Sequence, residues 1–329
     1  MNTMKWLVKR EYWEHKGGFF WAPVVVAAIM TFFIAATMFT AVAMGTKHGF
    51  QRNVVNGVTV STVTDLSSVM NPEQQSEAAT AAAAGYMGMS APLFLVLGFV
   101  VFFFSLSALF DERRDRSVLF WKSLPISDSA TVLSKVAIAL IVAPLITLVV
   151  ATLMSSLLLL LACIAAAMTG LHVFGQVFGT SSLYLAPFQV AAMLPVYILW
   201  ALPAVGWLLM VSAWARTKPF LWAVGAPLLA GGLLSWFNMM FGFGWNTGWF
   251  WQHIVGRGLL SVIPGGWFMH HGMVNARDVT AGIHQNSDMG MVLTQSWRVF
   301  ATLDLWIGVA AGAAMIYAAI RLRRWRDEG

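Results

Sequence analysis

The residues best equipped for chemistry are four histidines in one stretch of the chain: His253, His270, His271 and His284. Imidazole nitrogens bind zinc or copper when the chain brings two or three of them to one point. The adjacent His270 and His271 lack the i, i+4 spacing that places two ligands on one helix face, and no His-Glu-x-x-His motif occurs. The expectation is that the chain holds no metal. The one cysteine, Cys163, lies in an apolar run, which leaves no partner for a disulfide within the chain or for a cysteine-based zinc site. Neither a nucleophile elbow, G-x-S-x-G, nor a phosphate-binding loop, G-x-x-x-x-G-K-[ST], is present. No catalytic residue is therefore expected, and energy for any work has to come from another chain.

A second cluster is charged rather than ligating. The run Asp111-Glu112-Arg113-Arg114-Asp115-Arg116 is followed by Ser117-Val118-Leu119-Phe120-Trp121-Lys122-Ser123-Leu124-Pro125-Ile126. Both signs are mixed, then an amphipathic turn or two of helix ends at Leu-Pro, because the residue before proline resists helical geometry. Ser127 and Asp128 are placed to cap the next helix. A solvated loop or a docking surface for a soluble partner would both use this pattern.

The elements that must position these clusters are membrane spans. Hydrophobic residues make up 59% of the 329 and charged residues 10%, against roughly 25% charged in a soluble domain. About 20 apolar residues cross a bilayer as a helix. Six runs qualify: 19–44, 86–110, 136–167, 186–215, 220–241 and 299–320. The first is too long for the apolar core of a signal peptide. The fold expected is an all-α integral membrane protein forming one transmembrane domain over residues 1–329.

Lysine and arginine placement sets the orientation. Of the 20 in the chain, 15 fall in the N-terminal segment, the loops after the second and fourth runs, and the C-terminal tail. Only Lys47, Arg52, Arg257, Arg277 and Arg298 fall on the other side. Both termini are expected inside, and the net charge of +6 reflects topology rather than a nucleic-acid partner. Residues 1–18 read as an interfacial helix, with Met4, Leu7, Val8 and Tyr12 on one face and Trp6 and Trp13 flanking it.

The loop over residues 45–85 reads as a modest exposed segment, rich in Thr, Ser, Asn and Ala. Residues 242–298 differ. They hold Trp245, Trp249, Trp251 and Trp267 and an apolar stretch, 254–268, broken by Gly256, Gly258, Pro264, Gly265 and Gly266. A re-entrant or interfacial hairpin is expected there. Asp304 is the only carboxylate within a predicted span, near the outer end of the sixth and close to Arg298, and is expected to be salt-bridged or solvated. Transporters that run on ion gradients need ionisable groups at membrane depth, and the runs are almost bare of them. Pro144, Pro195, Pro203 and Pro227 lie in the spans, where proline removes a backbone hydrogen bond.

Taken in order, these features resemble the permease subunits of bacterial ABC transporters of the ABC-2 type. The resemblance runs over nearly the whole length. It comprises the amphipathic N-terminal elbow helix, six spans with both ends inside, Glu112-Arg113-Arg114 with Ser123-Leu124-Pro125 after the second span, and the Gly/Pro-broken segment between the fifth and sixth. It implies that residues 111–127 form the coupling segment, with Asp111, Glu112, Arg113, Arg114, Arg116, Trp121, Lys122 and Pro125 in contact with an ATPase. It implies two nucleotide-binding ATPase subunits that carry ATP and magnesium, and no cofactor on this chain. It implies a second permease subunit, identical or not, and residence in the cytoplasmic membrane among lipids. A substrate path at the permease interface would be lined by the second and fifth spans, through Phe99, Phe102, Phe103, Trp236 and Asn238. Such an aromatic path suits an amphiphilic or hydrophobic cargo, a lipid, peptide or drug. The alternative reading is a membrane receptor or scaffold that senses a ligand through its outer loops without moving it.

Overall fold

In the structure, a computed structural model, residues 3–48, 50–51, 62–63, 70–115, 126–270 and 289–326 are described. They are almost wholly helical, with one short antiparallel pairing of Phe50–Gln51 and Thr62–Val63. Among the described residues, six helical stretches are long and apolar enough to cross a membrane: Gly17–Gly45, Pro72–Arg114, Asp128–Met168, Ser181–Trp214, Leu221–Phe241 and Leu303–Trp325. The chain is a multi-pass membrane protein.

The boundaries moved where capping chemistry outweighs hydropathy. The segment expected as the end of a loop is the helix Pro72–Gly85, started by a capping box in which Asn71 and Gln74 satisfy each other's backbone N–H groups. Its Ala79 and Ala83 are buried. The third span begins eight residues before its apolar run, at Asp128, because the Ser127 hydroxyl accepts the Ala130 N–H at 3.2 Å. The sixth begins later than hydropathy suggests. Thr302 is extended, so the helix starts at Leu303 and Asp304 sits in its first turn, where the exposed N–H groups favour an acid.

Several of the span prolines sit where a continuous helical stretch widens. Pro23, Pro144 and Pro227 each follow a wide π turn, at Gly17–Trp21, Ile138–Val142 and Leu221–Gly225, and enter the first turn of the next helix. Proline offers no N–H and its ring displaces the carbonyl one turn back, so a widened turn absorbs it. Pro203 lies inside the regular α-helix Leu194–Trp214, with no widened turn before it.

The fourth span is the hub. Its window is 61% buried within the chain, against 6% for the first and 6% for the fifth, which leave most of their surface outward. It packs along the sixth at backbone distance: a Cβ on Gly206 would lie 2.6 Å from the Gly312 carbonyl oxygen, and one on Gly312 would lie 2.8 Å from Leu202 backbone atoms. Small residues permit such approach between helices in lipid, where packing rather than hydrophobicity drives association.

After the fifth span the chain turns at Gly242, with φ +62°, and forms helical turns over Thr247–Leu260, then a turn at residues 261–265 and the short helix Gly266–His270. The first arm has 14 residues and rises about 21 Å, short of the roughly 30 Å needed to cross. The tip enters the bundle: Ile263 packs on Gly98, near the middle of the helix Ala91–Ser107, and the Tyr197 hydroxyl donates to the Val262 carbonyl at 3.1 Å. Trp251 packs on Gly231 of the fifth span and donates to the Ser235 hydroxyl at 3.0 Å.

Candidate functional site

Two polar clusters sit at opposite ends of the sixth span. Asp304 and Arg323 are separated by 19 residues of continuous helix, about 28 Å along its axis.

At the Arg323 end, four elements meet around Glu112. Its Oε2 accepts from Arg323 Nη1 at 2.6 Å, and its Oε1 lies 2.8 Å from Lys135 Nζ and 3.5 Å from Arg10 Nη2. Lys135 also reaches Glu11 Oε2 at 2.9 Å, while Arg10 holds Glu11 Oε1 at 2.7 Å. Arg323 Nε donates to Asp128 Oδ1 at 3.2 Å. Glu11, Glu112, Lys135 and Arg323 are all buried. Glu11, Glu112 and Asp128 pair with Arg10, Lys135 and Arg323, and the exposed Glu14 lies 3.6 Å from Arg10 at the rim; such pairing is the condition for tolerating charges away from water. The cluster joins the N-terminal helix Thr3–Glu14, the end of the second span, the start of the third and the end of the sixth.

The neighbouring junction is sewn to the fourth span. Arg113 Nη2 donates to the Ser212 and Ala215 carbonyls at 2.5 and 2.9 Å, the orphan acceptors of a helix C-terminus. The Ser212 hydroxyl accepts from the Leu109 and Phe110 N–H groups at 3.1 and 3.0 Å.

Of the residues expected to couple to an ATPase, Glu112 and Arg113 thus have their side chains engaged inside the chain. Asp111 is half-buried and Arg114 is exposed. Arg116, Trp121, Lys122 and Pro125 lie outside the described residues. The sequence reading missed Arg10, Glu11, Asp128, Lys135 and Arg323 as members of one cluster. A signal existed: Glu11 interrupts the stripe of Met4, Leu7, Val8 and Tyr12, and an acid on an apolar face needs a buried base.

The aromatic residues divide. Phe99, Phe102 and Phe103 line an apolar cavity of about 310 Å³ with Phe220 and Val224 of the fifth span and the hairpin tip. Phe103 stacks on Phe220 with ring centroids 6.4 Å apart. Trp236 is exposed and sits outside that cavity, edge-on to Phe237. Asn238 closes a turn: its Oδ1 accepts the Trp245 N–H at 2.8 Å and its Nδ2 donates to the Trp245 carbonyl at 3.1 Å.

At the Asp304 end, the expected neighbour Arg298 forms no ion pair with Asp304 among the described residues. Asp304 Oδ2 instead lies 3.9 Å from His253 Nε2 and 3.9 Å from His270 Nε2. Arg257 is buried beside them, its guanidinium 4.5 Å from the Trp200 ring centre and 3.4 Å from the Leu305 carbonyl, fitted against Gly308. Burial pulls this guanidinium below its usual range, and the Asp304 carboxylate opposes that shift. A cavity of about 350 Å³ opens onto His253, Arg257 and Asp304 between Pro203, Pro227, Ile307 and Met315. His271 and His284 lie outside the described residues. No protein-family model matches the chain, and neither does any curated protein or solved structure.

Proposed function

We propose that the chain is the permease subunit of an ATP-driven exporter of the ABC-2 type, moving an amphiphilic or hydrophobic substrate across the cytoplasmic membrane. The observation that carries this reading is the buried cluster around Glu112. A transporter powered by a separate ATPase needs a cytoplasmic handle that moves several helices together. The charged segment after the second span is fixed by ion pairs to the N-terminal helix and to the third and sixth spans, and by Arg113 to the fourth. A push on that segment reaches all of them.

Further support comes from charge and shape. The lysine and arginine bias puts the Glu112 end of the bundle inside, with both termini. The N-terminal helix then lies as an elbow at the inner leaflet, exposing Trp6 and Trp13 at headgroup level. The hairpin over residues 247–270 is re-entrant from outside. The outward surface of the fifth span and the cavity at Phe99, Phe102 and Phe103 would face a second permease subunit, with the substrate path between them. Of two ATPase subunits, carrying ATP and magnesium, one would seat on the segment from Asp111 to Ser127 of each permease subunit.

The test is co-purification of the full chain with an ATPase subunit encoded beside it, then reconstitution in proteoliposomes. The reading expects a stable complex and ATP-dependent flux of a fluorescent lipid or hydrophobic dye. No ATPase association would overturn it, and a complex without ATP-driven flux of any amphiphile would favour a sensing scaffold.

A further inference from the structure

We infer that His253, His270 and Asp304 form a three-ligand site for a borderline divalent transition metal ion such as zinc. The ligands come from three separate elements: the π turn Trp251–Gly256, the helix Gly266–His270 and the first turn of the sixth span. Their donor atoms all lie within 4.8 Å of one another. Each histidine nitrogen is 3.9 Å from the carboxylate oxygen, too long for a hydrogen bond. Ligands of a tetrahedral zinc ion with bonds of roughly 2.0–2.1 Å stand about 3.3 Å apart, so each histidine–carboxylate distance would shorten by about half an ångström on binding and the two imidazole nitrogens, now within 4.8 Å, would close to the same spacing. Two imidazoles and one carboxylate suit zinc and its neighbours, whereas magnesium and calcium require oxygen donors.

The surrounding groups orient the ligands as a metal centre needs. His253 Nδ1 lies 3.1 Å from the Trp249 carbonyl. With the proton on Nδ1 donated there, the Nε2 lone pair faces Asp304, the arrangement that fixes tautomer and ring direction in metal-bound histidines. The His253 ring also stacks on Trp249, with centroids 5.1 Å apart. His270 stands edge-on to Trp200, and Gln252 Nε2 donates to the His270 carbonyl at 3.0 Å, tying the two hairpin arms together. The Asp304 side chain is 40% exposed and borders the 350 Å³ cavity, which gives an ion a way in. Arg257 is the opposing charge. Its guanidinium is drawn onto Trp200 and the Leu305 carbonyl, and its presence sets an affinity below that of a closed structural zinc site. A bound ion would pin the hairpin to the start of the sixth span.

The test uses the full chain purified in detergent, stripped with a chelator, and titrated with Zn²⁺ by calorimetry and Co²⁺ by its visible absorption. One saturable ion per chain is expected. His253→Ala and Asp304→Asn, whose side chains are only partly buried, should each weaken binding at least tenfold. The double variant His271→Ala/His284→Ala should bind as the parent does. Zn²⁺ should raise the melting midpoint of the parent but not of Asp304→Asn, a comparison that holds even if the variant is less stable. The absence of saturable binding would overturn the assignment. So would unchanged affinity in His253→Ala and Asp304→Asn, or loss of binding in the His271/His284 variant.

Discussion

Lys135 Nζ lies 2.9 Å from Glu11 Oε2, joining the third span to the N-terminal helix with both side chains at most 1% exposed. Removing one member leaves the other buried charge with one partner fewer, Glu112 alone for Lys135 and Arg10 alone for Glu11, at a cost of up to about 3–5 kcal/mol. Lys135→Ala and Glu11→Ala should each lower the unfolding midpoint strongly in detergent. Removing both strands less charge than either deletion alone, so the double variant should be more stable than the sum of the singles indicates, by about 0.5–3 kcal/mol. Lys135→Met should be milder than Lys135→Ala, because it refills the volume. Additive losses would mean that the two residues act separately.

Glu112 and Arg114 are two residues apart and should behave oppositely. Glu112→Gln removes the charge that serves both Lys135 and Arg323, so it should cost about 3–5 kcal/mol of stability. Arg114 is exposed, and Arg114→Ala should stay within about 0.5 kcal/mol. In the complex proposed above, Arg114→Ala should instead weaken ATPase association at unchanged melting temperature. Pull-down and thermal unfolding of the same two variants check the split. Equal stability losses would place Arg114 inside the ion network.

The fourth and sixth spans touch through glycine. Gly206→Ala sets a methyl group 2.6 Å from the Gly312 carbonyl oxygen, a rigid backbone atom that cannot swing aside. The helices must separate, at a cost of about 1–3 kcal/mol. Gly225→Ala, where the space is open, is the control and should leave the melting midpoint within a degree or two. Thermal unfolding of the two variants in one detergent decides it.

Hydropathy carried the six spans, because a bilayer permits few alternatives to a helix. The clusters were less legible. Asp304 was expected beside Arg298, its neighbour in sequence, but the hairpin brings His253 and His270 to it instead. Spacing rules for metal sites assume ligands on one helix, and here three elements supply one each. Lys135 and Arg323 were read as topology markers on the inner side. They are also buried ion-pair partners, which only the packing of four elements could reveal. Phe99, Phe102 and Phe103 were grouped with Trp236 and Asn238 by span membership, yet only the phenylalanines share a cavity. Asn238 was legible in part, since an asparagine near the end of a helix and before Gly242 is a common local hydrogen-bonding residue.

Asn238 therefore separates two explanations of its importance. Its amide holds both the N–H and the carbonyl of Trp245, so its work is closing the turn between the fifth span and the hairpin. Asn238→Ala removes both bonds, each worth about 0.5–1.5 kcal/mol net, and the Trp245 groups are left to water. Asn238→Asp keeps the acceptor for the Trp245 N–H and loses the donor, so it should recover part of the loss. Hydrogen exchange over residues 243–250 should rise most in the alanine variant and less in the aspartate variant. In the proposed exporter, Phe99→Ala should change which amphiphiles are carried without altering exchange in that turn. Unchanged exchange in Asn238→Ala, with altered cargo preference, would instead put Asn238 on the substrate path.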